Sequence, residues 1–513
     1  MADVAADPAG TARRSVAPES GFGRRKAAYV ALALAALTLP FADLAITTTS
    51  PGRTALAILS GFAHPDFSLA RSLASATAST LAVAFVGVGL GATIGFGLAL
   101  LWRLAAVRAL AACLRGVHEL IWALFLMTVT GPTATTAVTA LALAYAGIFA
   151  KVFGEIVEET DRRPAEALAR PRSLSAFFFA VMPLAAPQMR AYLSYRIECG
   201  IRSSAVLGFV GLPTLGFELD TLFKQADYAG AAAVLIATYA AIATIPFWLR
   251  RALVPLYLAA ALVWLAVLPG PPVSGGSFLG LAHDLIPAPL RSGDLASLST
   301  WARFGDWLRM MTLNQIAPGL AATLVLGWLA IVATGAVALL GFPFGMPAFV
   351  GRLGAGLGHL LLVVLRSTPE YMLVFVGVQM LGPSMLPAIV ALALHNGAII
   401  AHLMSRQGTA VVAGLRPDRP RGPNLWGFEL LPRLASGFYA LVLYRGEIIL
   451  RESAILGVLG VATIGFHIDS AISELRLDRA FVLLLAMIAM TAAVDRLSRA
   501  LRRRLGVASV SMS

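Results

Sequence analysis

The chain has 513 residues, 58% of them hydrophobic and only 13% charged, with a formal net charge of +13. A soluble domain carries about 25% charged residues, so this composition excludes an ordinary water-soluble globule. Its Lys and Arg residues stand in short clusters beside apolar runs. That distribution excludes the continuous basic face of a nucleic-acid binder and follows the positive-inside bias of membrane proteins.

The first apolar run, 27–47, follows a basic cluster (Arg13, Arg14, Arg24, Arg25, Lys26) and has no clear small-x-small cleavage site. It is expected to be a retained first helix behind a disordered cytoplasmic tail, 1–26. Further spans are predicted at 79–102, 116–131, 132–152, 177–200, 229–249, 252–268, 319–342, 367–382, 385–405, 433–450 and 480–498, about twelve in all. Arg103, Arg108 and Arg115, the 162–172 loop, Arg250 and Arg251, Arg352, the 406–421 loop and Arg499–Arg504 then fall on one side. In the long opposite-side segments, 48–78 and 269–318, Asp residues offset the Arg residues. Both termini are therefore expected in the cytoplasm. The two cysteines, Cys113 and Cys199, suit helix packing better than a disulfide or metal framework.

The sequence repeats. Arg-Ser-Ser-Ala-Val-Leu-Gly at 202–208 recurs as Arg-Glu-Ser-Ala-Ile-Leu-Gly at 451–457, a shift of 249. The same shift pairs Gly211 with Gly460, Thr214 with Thr463, Gly216 with Gly465, Phe217 with Phe466 and Asp220 with Asp469. It also pairs Tyr195, Arg196 and Glu198 with Tyr444, Arg445 and Glu447. Allowing small gaps, Arg115 and Glu119 match Arg366 and Glu370. An internal repeat on this scale means two copies of one unit. The expected fold is an all-α polytopic membrane protein built from two parallel six-helix permease repeats, 27–251 and 252–505, followed by a short cytoplasmic tail, 506–513. An even number of spans per unit gives both the same orientation, about an axis near the membrane normal.

Ionisable residues within a span are costly and point to function. Glu198 and Arg202, like Glu447 and Arg451, are i,i+4 neighbours that can neutralise each other on one helix face. Arg196 and Arg445 lie off that face, open either to structural pairing or to an anion-attracting cavity. Ser203, Ser204 and Ser453, with Gly208, Gly211, Gly457 and Gly460, follow each cluster, where glycine permits close packing or a break at a pathway. These residues, with Tyr195 and Tyr444, are the candidate pathway and gate positions.

At these residues the chain resembles the permease subunit of phosphonate-type ABC importers, from about residue 60 to 250 and again from about 300 to 500. The resemblance is carried by His118-Glu119-Leu-Ile-Trp-Ala-Leu-Phe, by Phe149-Ala-Lys-Val-Phe-Gly-Glu-Ile-Val-Glu, by Tyr195-Arg-x-Glu and by the Arg202 segment through Gly216. Pro65-Asp66-Phe67-Ser68 resembles the family's periplasmic lead-in. It implies a type I importer pathway with both permease halves in one chain. It also implies a periplasmic solute-binding protein, a homodimeric cytoplasmic ATPase that binds ATP and Mg, an oxyanion such as a phosphonate, phosphite or phosphate, and a bacterial inner membrane. In such permeases a Glu-Ala-Ala loop docks into the ATPase. Here Glu166 and Ala167, with Arg170 and Arg172, take that place, and Arg416, Arg419 and Arg421 occupy it in the second half. The second loop has no glutamate, and the first lacks the downstream glycine.

No Gly-rich loop ending in Gly-Lys-Ser/Thr is present, so the chain carries no nucleotide cofactor of its own. No His/Cys/Asp grouping has metal-site spacing, and His395, Asn396 and His402 are expected in the core or at an interface rather than as ligands. A proton-coupled transporter would need Glu119, Glu198, Glu370 and Glu447 as a relay. An intramembrane hydrolase would need a base beside Ser203 or Ser204, where that segment has no histidine.

Overall fold

The computed structural model describes residues 21–168, 174–268 and 275–504, and among them there is no β-strand. An apolar chain in lipid must satisfy every backbone donor internally, and helices do so within each segment without closing a barrel. The first half contains α1 (Gly21–Thr38), α2 (Pro51–Ala63), α3 (Ala70–Leu100), α4 (Ala105–Gly116), α5 (Glu119–Thr130), α6 (Ala134–Glu159), α7 (Met182–Val206), α8 (Leu215–Lys224) and α9 (Tyr228–Ala243). The second contains α10 (Val254–Val267), α11 (Gly275–Asp284), α12 (Leu298–Met311), α13 (Ala317–Gly341), α14 (Pro347–Ser367), α15 (Glu370–Leu381), α16 (Met385–Ala413), α17 (Leu431–Ile455), α18 (Ile464–Ser473) and α19 (Leu477–Arg504). Apart from α12, which runs into α13, each helix of the second half has a counterpart in the first, in the same order.

Six helices among the described residues are long and apolar enough to cross a membrane, and nine spans result if three bent pairs are each counted once. The bent pairs explain where expected and observed boundaries differ. The 116–131 segment is α5, which turns 88° from α4. The other two pairs are the α7 and α17 rods with the short helices that follow them, bent by 43° and 41°. The 367–382 and 252–268 segments are the shorter apolar helices α15 and α10. The tails at 1–20 and 505–513 lie outside the described residues.

The two halves interlock. α1 packs on α13 of the second half, and α10 packs on α3 of the first. In the same way α2 packs on α9 and α15, while α11 packs on α19 and α5. The peptide after α1 continues the exchange: Thr47 N–H donates to Leu381 O at 2.9 Å and Met385 N–H to Asp43 O at 2.8 Å. On the other side, Trp264 Nε1 on α10 donates to Ser79 Oγ on α3 at 3.1 Å. Cutting at 251/252 therefore divides the sequence repeat but not the packing, because each leading helix lies on the opposite half.

Candidate functional site

The repeated motif builds the same turn twice. α7 tightens into a short 3-10 segment, Leu207–Val210, and bends at Gly211, whose φ of +87° suits glycine. The second copy does the same at Leu456–Leu459 and Gly460, with φ +85°. Gly211 N–H donates to Gly208 O, and Gly460 N–H to Gly457 O, both at 2.9 Å. A Cβ on Gly208 would collide with the backbone nitrogen of Phe217, and one on Gly457 with that of Phe466. Both glycines are thus required by a close approach of backbone to backbone.

A threonine on a neighbouring helix pins each turn. Ser204 Oγ donates to Thr80 O on α3 at 2.8 Å, and Thr80 Oγ1 accepts the N–H of Leu215 at 2.9 Å. In the second half Ser453 Oγ donates to Thr323 O on α13 at 3.3 Å, and Thr323 Oγ1 accepts from Ile464 N–H at 3.0 Å. Thr80, Thr323, Ser204 and Ser453 are all buried. Sequence reading found the serines and glycines but missed the threonines, whose spacing departs from the 249-residue shift.

Farther along α7 the Arg196 guanidinium sits in a cage of tyrosines. Its Cζ lies 5.7, 5.2 and 5.7 Å from the ring centroids of Tyr145, Tyr192 and Tyr195. Its Nε donates to Tyr192 Oη at 2.7 Å. Tyr145 Oη in turn meets Ser203 Oγ at 3.3 Å. The planar cation satisfies itself against ring faces as well as through hydrogen bonds. In the second half Asn396 takes the place of Tyr145, and Arg445 Nη1 reaches its Oδ1 at 3.5 Å. Tyr195 is within electrostatic reach of Arg445, and Tyr192 of Tyr444, so the two clusters face each other across the halves.

The remaining charges sit nearer the turns. Arg202 Nη2 donates to Glu198 Oε1 at 2.8 Å, the i,i+4 pair the spacing allows. The second copy differs: Arg451 Nη1 reaches across to Arg115 O at 3.0 Å. Arg115 Nη2 then meets Asp495 on α19 at 3.0 Å, so α4 is tied to the other half twice. Glu370 lies 3.4 Å from His395 Nε2, and the buried Glu452 carboxyl faces Glu370. Asn396 and His402 are buried as expected, and His402 stands against the His359 ring at 4.8 Å. No group of three metal-ligating side chains occurs among the described residues.

Of the loop residues, Glu166 ends a one-turn helix, Arg163–Glu166, and Ala167 caps it, both exposed. Arg170 and Arg172 lie outside the described residues. Arg416 and Arg421 are exposed, and Arg419 N–H closes a turn on Arg416 O at 3.2 Å. The two loops enter α7 and α17 at the ends opposite the glycine turns.

Over 435 residues the chain is 28% identical to the phosphate-import permease PhnE of Mycolicibacterium smegmatis, a match covering 78% of each protein. Over 202 residues it is 32% identical to the phosphite transport system permease PtxC of Stutzerimonas stutzeri, covering 37% of this chain and 74% of that relative. The chain belongs to the phosphonate-type ABC transporter permease family. A third relative, the putative phosphite transport system permease HtxE of the same organism, is 35% identical over 136 residues, 26% of this chain and 52% of its own. No family model matches the sequence, and no solved structure matches it significantly. The PhnE match is longer than one repeat and so extends over both halves of this permease. Its role is that of a multi-pass transport component rather than an enzyme.

Proposed function

We propose that this permease forms the whole membrane pathway of an importer for a phosphonate, phosphite or phosphate oxyanion. The solute is delivered by a periplasmic binding protein, and a homodimeric ATPase docks on the loops before α7 and α17. In this reading the chain sits in a bacterial inner membrane with both termini in the cytoplasm, and nucleotide and Mg belong to the ATPase. The observation that carries it is the pair Arg196 and Arg445 at equivalent points of the repeat, with Tyr145, Tyr192 and Tyr195 around Arg196 and Asn396 against Arg445. Guanidinium groups bind tetrahedral oxyanions through paired N–H donors. Tyrosine hydroxyls held near them add donors without adding charge. Moderate attraction of this kind lets an anion enter and still leave.

The test is reconstitution with the ATPase and the binding protein in proteoliposomes, measuring uptake of phosphite, methylphosphonate and phosphate. Uptake is expected to need ATP and the binding protein, and to fall when Arg196 or Arg445 is changed to Gln. Uptake driven by a proton gradient in the absence of the ATPase would overturn the proposal.

A further inference from the structure

Three ionisable side chains of the second half form a line of contacts. His395 Nδ1–H on α16 donates to Leu365 O at 3.3 Å, and its Nε2 faces Glu370 Oε2 at 3.4 Å. The Glu370 carboxyl, at the start of α15, is hydrogen-bonded in turn to that of Glu452 on α17. His395 and Glu452 are both more than nine-tenths buried. Glu452 Oε2 has no hydrogen-bond partner among the described residues.

The donors and acceptors fix the protons of this line. A backbone carbonyl only accepts, so His395 Nδ1 carries a proton. Nε2 and Glu370 Oε2 need another between them. Two ionised carboxylates also only accept, so the Glu370–Glu452 contact needs one more. The first proton belongs to neutral imidazole, and the other two offset both carboxylate charges. Glu370 accepts its own backbone N–H as well, which makes it the ionised member and Glu452 the acid that donates to it. A neutral acid tolerates the unpartnered Oε2 where a buried carboxylate would not.

The surrounding charges do not replace that proton. Arg445 and Arg451 of α17 lie within electrostatic reach of Glu452, His118 of α5 reaches Glu370, and Arg445 and Arg202 reach His395. Arg445 Nη1 is engaged by Asn396 Oδ1 at 3.5 Å and Arg451 Nη1 by Arg115 O at 3.0 Å. Neither supplies the donor that Glu452 Oε2 lacks. The first half has no equivalent line: Ser203 stands in the place of Glu452 and Ala144 in that of His395, with only Glu119 matching Glu370.

We propose that Glu452, Glu370 and His395 form a proton-binding site built into the second half alone, whose emptying in alkali loosens α15 against α17. Two bare carboxylates in contact repel, and they do so at the helix start that faces His118 of the first half. The line of contacts suits protons and does not gather ligands around a metal ion.

Infrared spectra of the full permease in nanodiscs, in H2O and D2O at neutral pH, test the site. The wild type is expected to show the carbonyl stretch of a buried carboxylic acid, moved to lower frequency in D2O. Glu452→Gln should lose that band, and Glu198→Gln, whose carboxylate is paired with Arg202, should keep it. A proton held in the folded protein and released on unfolding contributes stability that is lost as pH rises. The thermal unfolding temperature should therefore fall with rising pH in the wild type, and by less in Glu452→Gln. If Glu452→Gln does not fold, Glu452→Ser, which copies the first half, gives the same comparison. No carboxylic-acid band in the wild type, a band unchanged by both substitutions, or parallel pH profiles would overturn the proposal. Uptake enters neither readout, so the transport reading stands or falls separately.

Discussion

Ser204 donates to the carbonyl of Thr80 at 2.8 Å, and the side chain of that threonine takes the N–H of Leu215 at 2.9 Å. Two residues thus hold a helix end and the restart of the next helix on one point of α3. Removing the hydroxyl acceptor leaves a buried N–H without a partner, which costs about 1–3 kcal/mol. Thr80→Val and Thr323→Val should each lower the thermal unfolding temperature of the purified permease. Thr77→Val, whose hydroxyl bonds among the described residues only to Leu73 O one turn back in its own helix, should change it little.

The glycine turns set a second expectation. Gly208→Ala and Gly457→Ala force a methyl group into backbone, an overpacking cost of about 1–3 kcal/mol or more. A methyl group on Gly97 of α3 would meet nothing within 4 Å, so Gly97→Ala should be neutral or slightly stabilising. Thermal unfolding followed by intrinsic fluorescence separates the two outcomes. A turn that tolerated alanine at both 208 and 457 would refute the close-approach account.

The Arg115–Asp495 pair joins α4 to the far half, with side chains only 20% and 16% exposed. A double-mutant cycle of Arg115→Ala and Asp495→Ala should give a coupling of about 1 kcal/mol. Zero coupling would mean that packing alone holds α4 against α19.

The tyrosine cage distinguishes Arg196 from an ordinary positive charge. Lysine keeps the charge but loses the planar contact with three rings. Arg196→Lys should therefore reduce uptake while the permease still co-purifies with its ATPase. Arg445→Lys, where the Asn396 amide stands in place of the Tyr145 ring, should reduce it less. Initial uptake rates at saturating binding protein provide the comparison.

Asp66 lies in the loop before α3, where it accepts Ser68 N–H at 2.8 Å and Ser68 Oγ–H at 2.9 Å. The Ser68 backbone N–H, and then its hydroxyl, hold the Asp66 carboxyl below its ordinary value. A depressed carboxyl contributes stability above its unfolded pKa and loses it as pH falls through the folded one. Hydrogen exchange at Ser68 should accordingly rise in acid relative to neighbouring loop amides, and Asp66→Asn should remove that pH dependence.

Much of this architecture was legible in the residues. The repeat, its helical class and the Glu198–Arg202 neutralisation follow from composition and spacing, because a 3.6-residue period places i and i+4 together. The same logic could not foresee that Arg451, with an identical spacing to Glu447, would reach Arg115 O. That contact depends on how two halves meet, which no local period encodes. Likewise Tyr145 and Asn396 occupy one repeat position yet give Arg196 and Arg445 different surroundings. The exchange of α1 and α10 was hidden for the same reason: an apolar helix carries little in its own sequence about which neighbour it covers.

That exchange has a consequence for biosynthesis. As the chain leaves the ribosome, α1 enters the bilayer long before α13 exists, and α3 waits for α10. The flank of α3, complete at Leu100, therefore stays uncovered until α10 begins at Val254, and α1, complete at Thr38, stays undocked until α13 begins at Ala317. Insertion and assembly are separate events here, and the second half acts as the template on which the first is completed.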